Sequence, residues 1–133
     1  MTYSIGIDWG FAGDTTRIVV LKKDKEKTTL EHHENVCLPQ RPTIERAAEV
    51  VRIYPDAPVN CDDGGHAKMA TEHLRTLLPE RRIDGTVPTS LYKADLKVQA
   101  ERAGLPVNHA WDDAVCLALD CMPREYDEKV RRT

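Results

Sequence analysis

Apolar and polar positions alternate in short runs along the first third of the chain and at helical spacing along the rest. Residues 4–8, "SIGID", and residues 16–22, "TRIVVLK", are short β-branched runs joined by a glycine-containing turn, and they predict two strands. The charged stretch 22–27, "KKDKEK", predicts a hairpin tip. Residues 28–38, "TTLEHHENVCL", predict a returning third strand, so the opening reads as an antiparallel meander. After Pro39 and Pro42 the period changes. From Thr43 onward, Ile44, Ala47, Ala48 and Val51 fall on one helical face, with Glu45, Arg46 and Glu49 opposite. Pro55 and Pro58 end that helix, and residues 58–63, "PVNCDD", predict a short buried strand.

The turn at Gly64-Gly65 leads into a second helix over 66–78, with Ala67, Ala70, Leu74 and Leu77 inward. A further strand is predicted over 83–88. A third helix is predicted over 91–103, with Gly104 as its C-terminal cap, and a last helix over 111–122, stopped by Pro123. The order βββ-α-β-α-β, followed by helix, predicts an α/β fold. Its sheet is mixed and five-stranded, with an antiparallel meander, then parallel strands, and helices packed on both faces.

A chain of 133 residues suits one domain, expected over 1–123, with a polar tail over 124–133. No stretch approaches the ~20 apolar residues that span a bilayer. The first residues lack the basic and apolar regions of a signal peptide, so the expectation is a cytoplasmic chain that is not secreted and has no membrane partner. The net charge of −3 supplies no global attraction to nucleic acid, so any such contact has to be local. The four cysteines, Cys37, Cys61, Cys116 and Cys121, show no CxxC spacing and read as reduced and mostly buried. His32, His33 and Cys37 form a weak candidate set for zinc.

Acidic residues gather at three points where an apolar element begins or ends. Asp8 closes the first strand, Asp62-Asp63 close the strand "VNC", and Asp112-Asp113 open the last helix. Each has a plain structural alternative as a turn former, a helix cap or a partner of the helix dipole. Taken together they suggest more. If strands one and four pair in parallel, their carboxylate ends are neighbours and repel, and a divalent cation relieves that conflict. Mg²⁺ or Mn²⁺ takes a few carboxylate oxygens, and a helix that supplies a third acid completes a site for two such ions. Strand alternation lets only one of Asp62 and Asp63 face such a site.

Three stretches resemble the ribonuclease H-like superfamily and, within it, the nuclease domain of the viral terminase large subunit. They are "GIDWGFAGDTT", "VNCDDGGHAKMATEHL" and "HAWDDAVCLAL". The resemblance spans residue 4 to about residue 120. It implies metal ligands at Asp8, Asp62 and Asp113, with Asp112 as the neighbouring acid. It also implies two divalent ions, Mg²⁺ or Mn²⁺, and endonucleolytic cleavage of double-stranded DNA during viral genome packaging in a host cytoplasm. The partners it implies are an ATPase motor domain, a portal and a small terminase subunit. The chain departs from the pattern in three ways. The stretch between the second and third motifs is short and leaves little room for an extra β-hairpin. Trp111 stands where the family has a His before the acid pair, with His109 two residues earlier, and no GxxxxGK[ST] motif for a packaging ATPase is present.

Other readings come from different classes. A Holliday-junction resolvase-like nuclease shares the metal chemistry. An actin- or sugar-kinase-like ATP-binding half-domain shares the turn after Asp8. A non-catalytic interaction domain keeps the fold without the metal. Candidate DNA contacts are Lys68, Arg75, Arg81, Arg82, Lys93 and Lys97, with Lys129, Arg131 and Arg132 in the tail. The competing reading for each is a solvated helix face.

Overall fold

The computed structural model describes residues 1–11, 14–105 and 112–123. The first strand, β1 (Thr2–Asp8), pairs antiparallel with β2 (Thr16–Asp24), which pairs antiparallel with β3 (Lys27–Val36). Helix α1 (Gln40–Ile53) carries the chain to β4 (Val59–Asp62), and α2 (Ala67–Leu77) leads to β5 (Ile83–Thr86). Helices α3 (Ser90–Arg102) and α4 (Asp112–Cys121) complete the order. The sheet runs β3-β2-β1-β4-β5, with β1 parallel to β4 and β4 parallel to β5. This is the predicted mixed sheet, and β1 lies at its centre.

Strand alternation sorts the sheet into two faces. Ile5, Ile7, Ile18, Val20, Val59, Cys61 and Ile83 pack with α1 and α2 through Ile44, Ala47, Val51, Ala70 and Leu74. Val19 and Leu21 point the other way, into a second cluster with Ala100 of α3 and Ala114, Val115 and Ala118 of α4. In β3 exposed and half-buried positions alternate, as an edge strand with one covered face requires. Among the described residues no helix is long and apolar enough to cross a membrane.

Several element boundaries shift from the sequence reading: β1 starts at Thr2, β2 runs on to Asp24 and β3 stops at Val36, and two further shifts have a local reason or consequence. Helix α1 begins at Gln40 rather than Thr43 and takes Pro42 into its first turn. Proline is tolerated there because the first amides of a helix have no intrahelical acceptor. Strand β5 stops at Thr86 rather than residue 88. Gly104 does cap α3, with φ +74°, and the Leu105 amide donates to the Ala100 carbonyl at 2.9 Å.

The face toward α4 carries Ser4, Gly6 and Asp8 of β1 and Asn60 of β4. Gly6 makes the packing possible. A Cβ on residue 6 would lie 2.0 Å from the Ala114 carbonyl oxygen and 2.6 Å from the Ala118 nitrogen, so α4 rests directly on the strand backbone. Polar side chains on either side complete the contact. The Ser4 hydroxyl donates to the Ala118 carbonyl at 2.7 Å, and Asn60 Nδ2 donates to the Leu117 carbonyl at 3.1 Å. Gly6→Ala therefore has to push α4 off the sheet. We expect a loss of about 3 kcal/mol, seen as a fall in Tm of roughly 10 °C by circular dichroism. An unchanged Tm would mean that α4 does not seat on Gly6.

Candidate functional site

Asp8 is the last residue of β1 and Asp62 the last of β4. The two strands are parallel neighbours with Gly6 opposite Asn60, so Asp8 and Asp62 project from the same face at the same end of the sheet. Contact of α4 with Gly6 sets the first turn of that helix beside them and brings in Asp113. The effect on Asp8 is large. Its pKa rises to about 7, first because the carboxyl is buried, then through the negative charges of Asp113 and Asp62. Asp8 and Asp62 are close enough to share a hydrogen bond, which raises it further, while Arg17 opposes the shift.

Asp62 and Asp63 part company. The Asp62 Oδ1 accepts from the Gly64 amide at 2.9 Å, and its carboxylate stays on the Asp8 side. Asp63 donates its amide to the Thr86 carbonyl at 2.8 Å, and its carboxylate lies against Gly85, where a Cβ would meet Cγ at 2.6 Å. One Asp63 oxygen is buried there without a hydrogen-bond partner among the described residues.

Two cations border the acids. Arg17 stands directly opposite Asp8 in the β1–β2 register, and its Nε is buried without a partner among the described residues. Lys93 of α3 reaches Asp113, Nζ to Oδ1, at 3.1 Å. Sequence reasoning missed Arg17. The signal was present: hairpin alternation sets Arg17 on one face with Val19 and Leu21, an odd place for a charge unless a carboxylate faces it.

Thr16 and Gly10 pin the start of the turn after β1. The Thr16 hydroxyl, buried, accepts from the Gly10 amide and donates to the Gly10 carbonyl, each at 2.9 Å. A Cβ on Gly10 would lie 2.4 Å from the Thr15 carbonyl oxygen, so this position also needs glycine. Trp9 turns to the opposite face, donating to Thr71 Oγ1 at 3.0 Å. The Thr71 hydroxyl in turn lies 3.3 Å from the Asp62 carbonyl, which ties the ends of β1 and β4 to α2.

The other predicted residues divide. Lys68 is exposed on the first turn of α2. Arg82 pairs with Asp84 at 3.3 Å on the surface. Lys97 is half-buried on α3. Arg81 is placed differently from its expected outward role: its guanidinium donates to the Val51, Tyr54 and Ala57 carbonyls at 3.0, 2.9 and 2.7 Å, closing the C-terminal end of α1. Arg75 likewise donates to the Ile83 carbonyl at 2.9 Å. Lys93, partly exposed, pairs with Asp113. The side chain of Asp112, together with His109, Trp111, Gly13 and the tail over 124–133, lies outside the described residues. His32 bonds Glu34 at 2.8 Å, and Glu34 is held by Arg46, while Cys37 is exposed and free.

Among the described residues no three His, Cys, Asp or Glu side chains close around a common point. The acids influence one another through charge, and Asp113 is turned toward Lys93. The donor set itself, hard carboxylate oxygens, fits a hard divalent ion.

This architecture is shared with solved structures. Thermus thermophilus RuvC in complex with Holliday junction substrate is 17% identical with a TM-score of 0.65, over 90% of this chain and 91% of that chain. The large terminase nuclease from thermophilic phage G20c with bound zinc is 19% identical at TM-score 0.62, over 95% and 72%. The large terminase nuclease domain of bacteriophage SPP1 with bound Mn is 19% identical at TM-score 0.59, over 74% and 55%. The chain has a ribonuclease H-like fold. No protein-family model and no curated protein matches it. The ribonuclease H-like sheet thus carries Asp8 and Asp62 on adjacent central strands, with Asp113 delivered by α4.

The raised pKa of Asp8 has a consequence for stability. The folded chain holds a proton at Asp8 that the unfolded chain, with an ordinary value of about 4, releases. The resulting stabilisation is complete below about pH 4 and is lost as pH rises through about 7. With EDTA present, we expect wild type to lose on the order of 2 kcal/mol relative to Asp8→Asn between pH 5 and pH 8. Thermal unfolding of both proteins at the two pH values measures it. A difference that does not change with pH would give Asp8 an ordinary carboxyl.

Proposed function

We propose that the chain is a metal-dependent endonuclease acting on double-stranded DNA. The convergence of Asp8, Asp62 and Asp113 at the carboxyl ends of the central strands carries this reading. Carboxylates that repel at one end of the sheet call for a cation, and these three would hold one or two Mg²⁺ or Mn²⁺ ions once Asp113 turns from Lys93 toward Asp8 and Asp62, with Asp112 adjacent in sequence. Divalent ions bound to such acids activate a water and stabilise charge on a phosphodiester. The protein's part is to fix the acids. Strand β1 holds Asp8, the Gly64 amide steadies Asp62, and α4 presents Asp113. Arg17 offsets part of the negative charge around Asp8, and the Gly10 turn would have to leave room for a phosphate backbone.

The neighbours with metal and with DNA support the same chemistry at the level of fold. Within it, the terminase-like reading rests on the three sequence stretches, and would pair the domain with a packaging ATPase, a portal and a small subunit. A second reading, a Holliday-junction resolvase, is favoured by one observation: the match takes in 91% of the RuvC chain, against 55% and 72% of the two terminase nucleases.

The test is plasmid and junction cleavage. With Mg²⁺ or Mn²⁺ we expect nicking and linearisation of supercoiled plasmid, abolished by EDTA. Asp8→Asn, Asp62→Asn and Asp113→Asn should each reduce the rate by at least about a hundredfold while the proteins remain folded, since each removes a ligand that no other residue replaces. Asp63→Asn should retain activity, because its carboxylate faces Gly85. Preference for a synthetic four-way junction over linear duplex selects the resolvase reading. Intact plasmid and junction with both metals would overturn the nuclease reading.

A further inference from the structure

Lys93 joins the acid site from a separate element. Its ammonium lies 3.1 Å from Asp113 Oδ1, and the two side chains are 36% and 26% exposed. The start of α3 is firmly set. Thr89 Oγ1 accepts from the Tyr92 amide at 3.3 Å, the Lys93 amide donates to the Thr89 carbonyl at 3.0 Å, and Leu96 and Ala100 are buried. The lysine Cα therefore stays at the rim while its four-carbon stem can swing. Arg17 contrasts with it. It rises from the start of β2, opposite Asp8 at the end of the central strand, with its Nε buried. A guanidinium in that position cannot leave without disturbing β2, whereas a hydrated, partly exposed ammonium can be exchanged for another cation.

We infer that Lys93 is a tethered counter-ion that holds Asp113 when no divalent ion is bound, and that a divalent ion must displace it. The inference rests on the metal-site reading above and adds a positioning residue to it. Two cations of different mobility then serve the three acids. Arg17 is permanent and offsets the burial of Asp8, and Lys93 is exchangeable and sets how easily Asp113 becomes available. Once released, the ammonium remains at the rim on its stem, where the phosphates of a bound duplex offer it a new partner.

Competition of this kind predicts that removing the amine tightens metal binding. Lys93→Met keeps the stem and loses the charge. By calorimetric titration with Mn²⁺, it should bind roughly two- to fivefold more tightly than wild type, the range expected from losing one partly exposed ion pair. Metal-free Lys93→Met should melt below wild type, and saturating Mn²⁺ should raise its Tm by more. Lys93→Arg should bind Mn²⁺ no more tightly than wild type. A second measurement uses the wild-type chain. After reductive ¹³C-methylation of its lysines, the Lys93 resonance, identified by its absence in Lys93→Arg, should shift on adding Mg²⁺. Equal or weaker Mn²⁺ binding by Lys93→Met, or a Lys93 resonance unmoved by saturating Mg²⁺, would overturn the inference and leave the metal site standing. Failure of wild type and variant alike to bind Mn²⁺ would overturn both.

Discussion

Helix α4 meets strand β1 backbone to backbone, because residue 6 has no side chain. That contact fixes more than packing. It brings the helix close enough for Ser4 and Asn60 to satisfy carbonyls of α4 with short polar side chains in an otherwise apolar layer. Hydrogen bonds to these carbonyls are needed because buried polar groups left unpaired are costly. It also fixes the height of the first helical turn above the sheet. Asp113 lies beside the strand ends because the helix is seated there: the residue directly precedes Ala114, whose carbonyl rests on Gly6. The same sheet position that needs glycine for packing lies two residues before the carboxylate at the strand end.

The site is electrostatically unfavourable when considered alone. Asp8 is buried beside two other acids, and its carboxyl keeps a proton to about pH 7 in consequence. Such an arrangement persists because the surrounding structure determines it. On the far face, Ile5, Ile7, Val59 and Cys61 are completely buried against α1 and α2, and the Trp9–Thr71–Asp62 chain locks the strand ends to α2. Stability resides in that apolar layer, and the opposite end of the same strands carries the repulsion.

Basic residues show a similar division. Arg81 and Arg75 close carbonyl groups at element ends, and Arg46 forks onto Glu34 with contacts of 2.8 and 2.9 Å, joining α1 to β3. These arginines are structural, which planar forked donors suit well. Lys93 and Arg17 serve the acids instead. A fold shared at 17–19% identity does not by itself assign an activity, so the functional reading depends on this local charge arrangement.

Much of the fold was legible in the residues. The β-branched run of 16–22, the helical period from Ile44 to Val51 and the turns at Gly64-Gly65 and Gly104 are local, and each element follows from its own pattern. The start of α1 was misread because proline punctuates sequence strongly yet is harmless in a first helical turn. The acids Asp8, Asp62 and Asp113 stood out by type and position, since a carboxylate ending a buried run is conspicuous in any sequence. Their convergence was not legible. It depends on the parallel pairing of β1 with β4 and on α4 settling against Gly6, contacts between residues more than fifty and more than a hundred positions apart. Tertiary structure also decided that Asp62 faces Asp8 while Asp63 turns to Gly85, that Arg81 is spent on carbonyls, and that Lys93 and Arg17 border the acids. A side chain's role follows from which charges and carbonyls lie within a few ångströms of it. Local sequence sets its element and its face, but only the packed chain sets those neighbours.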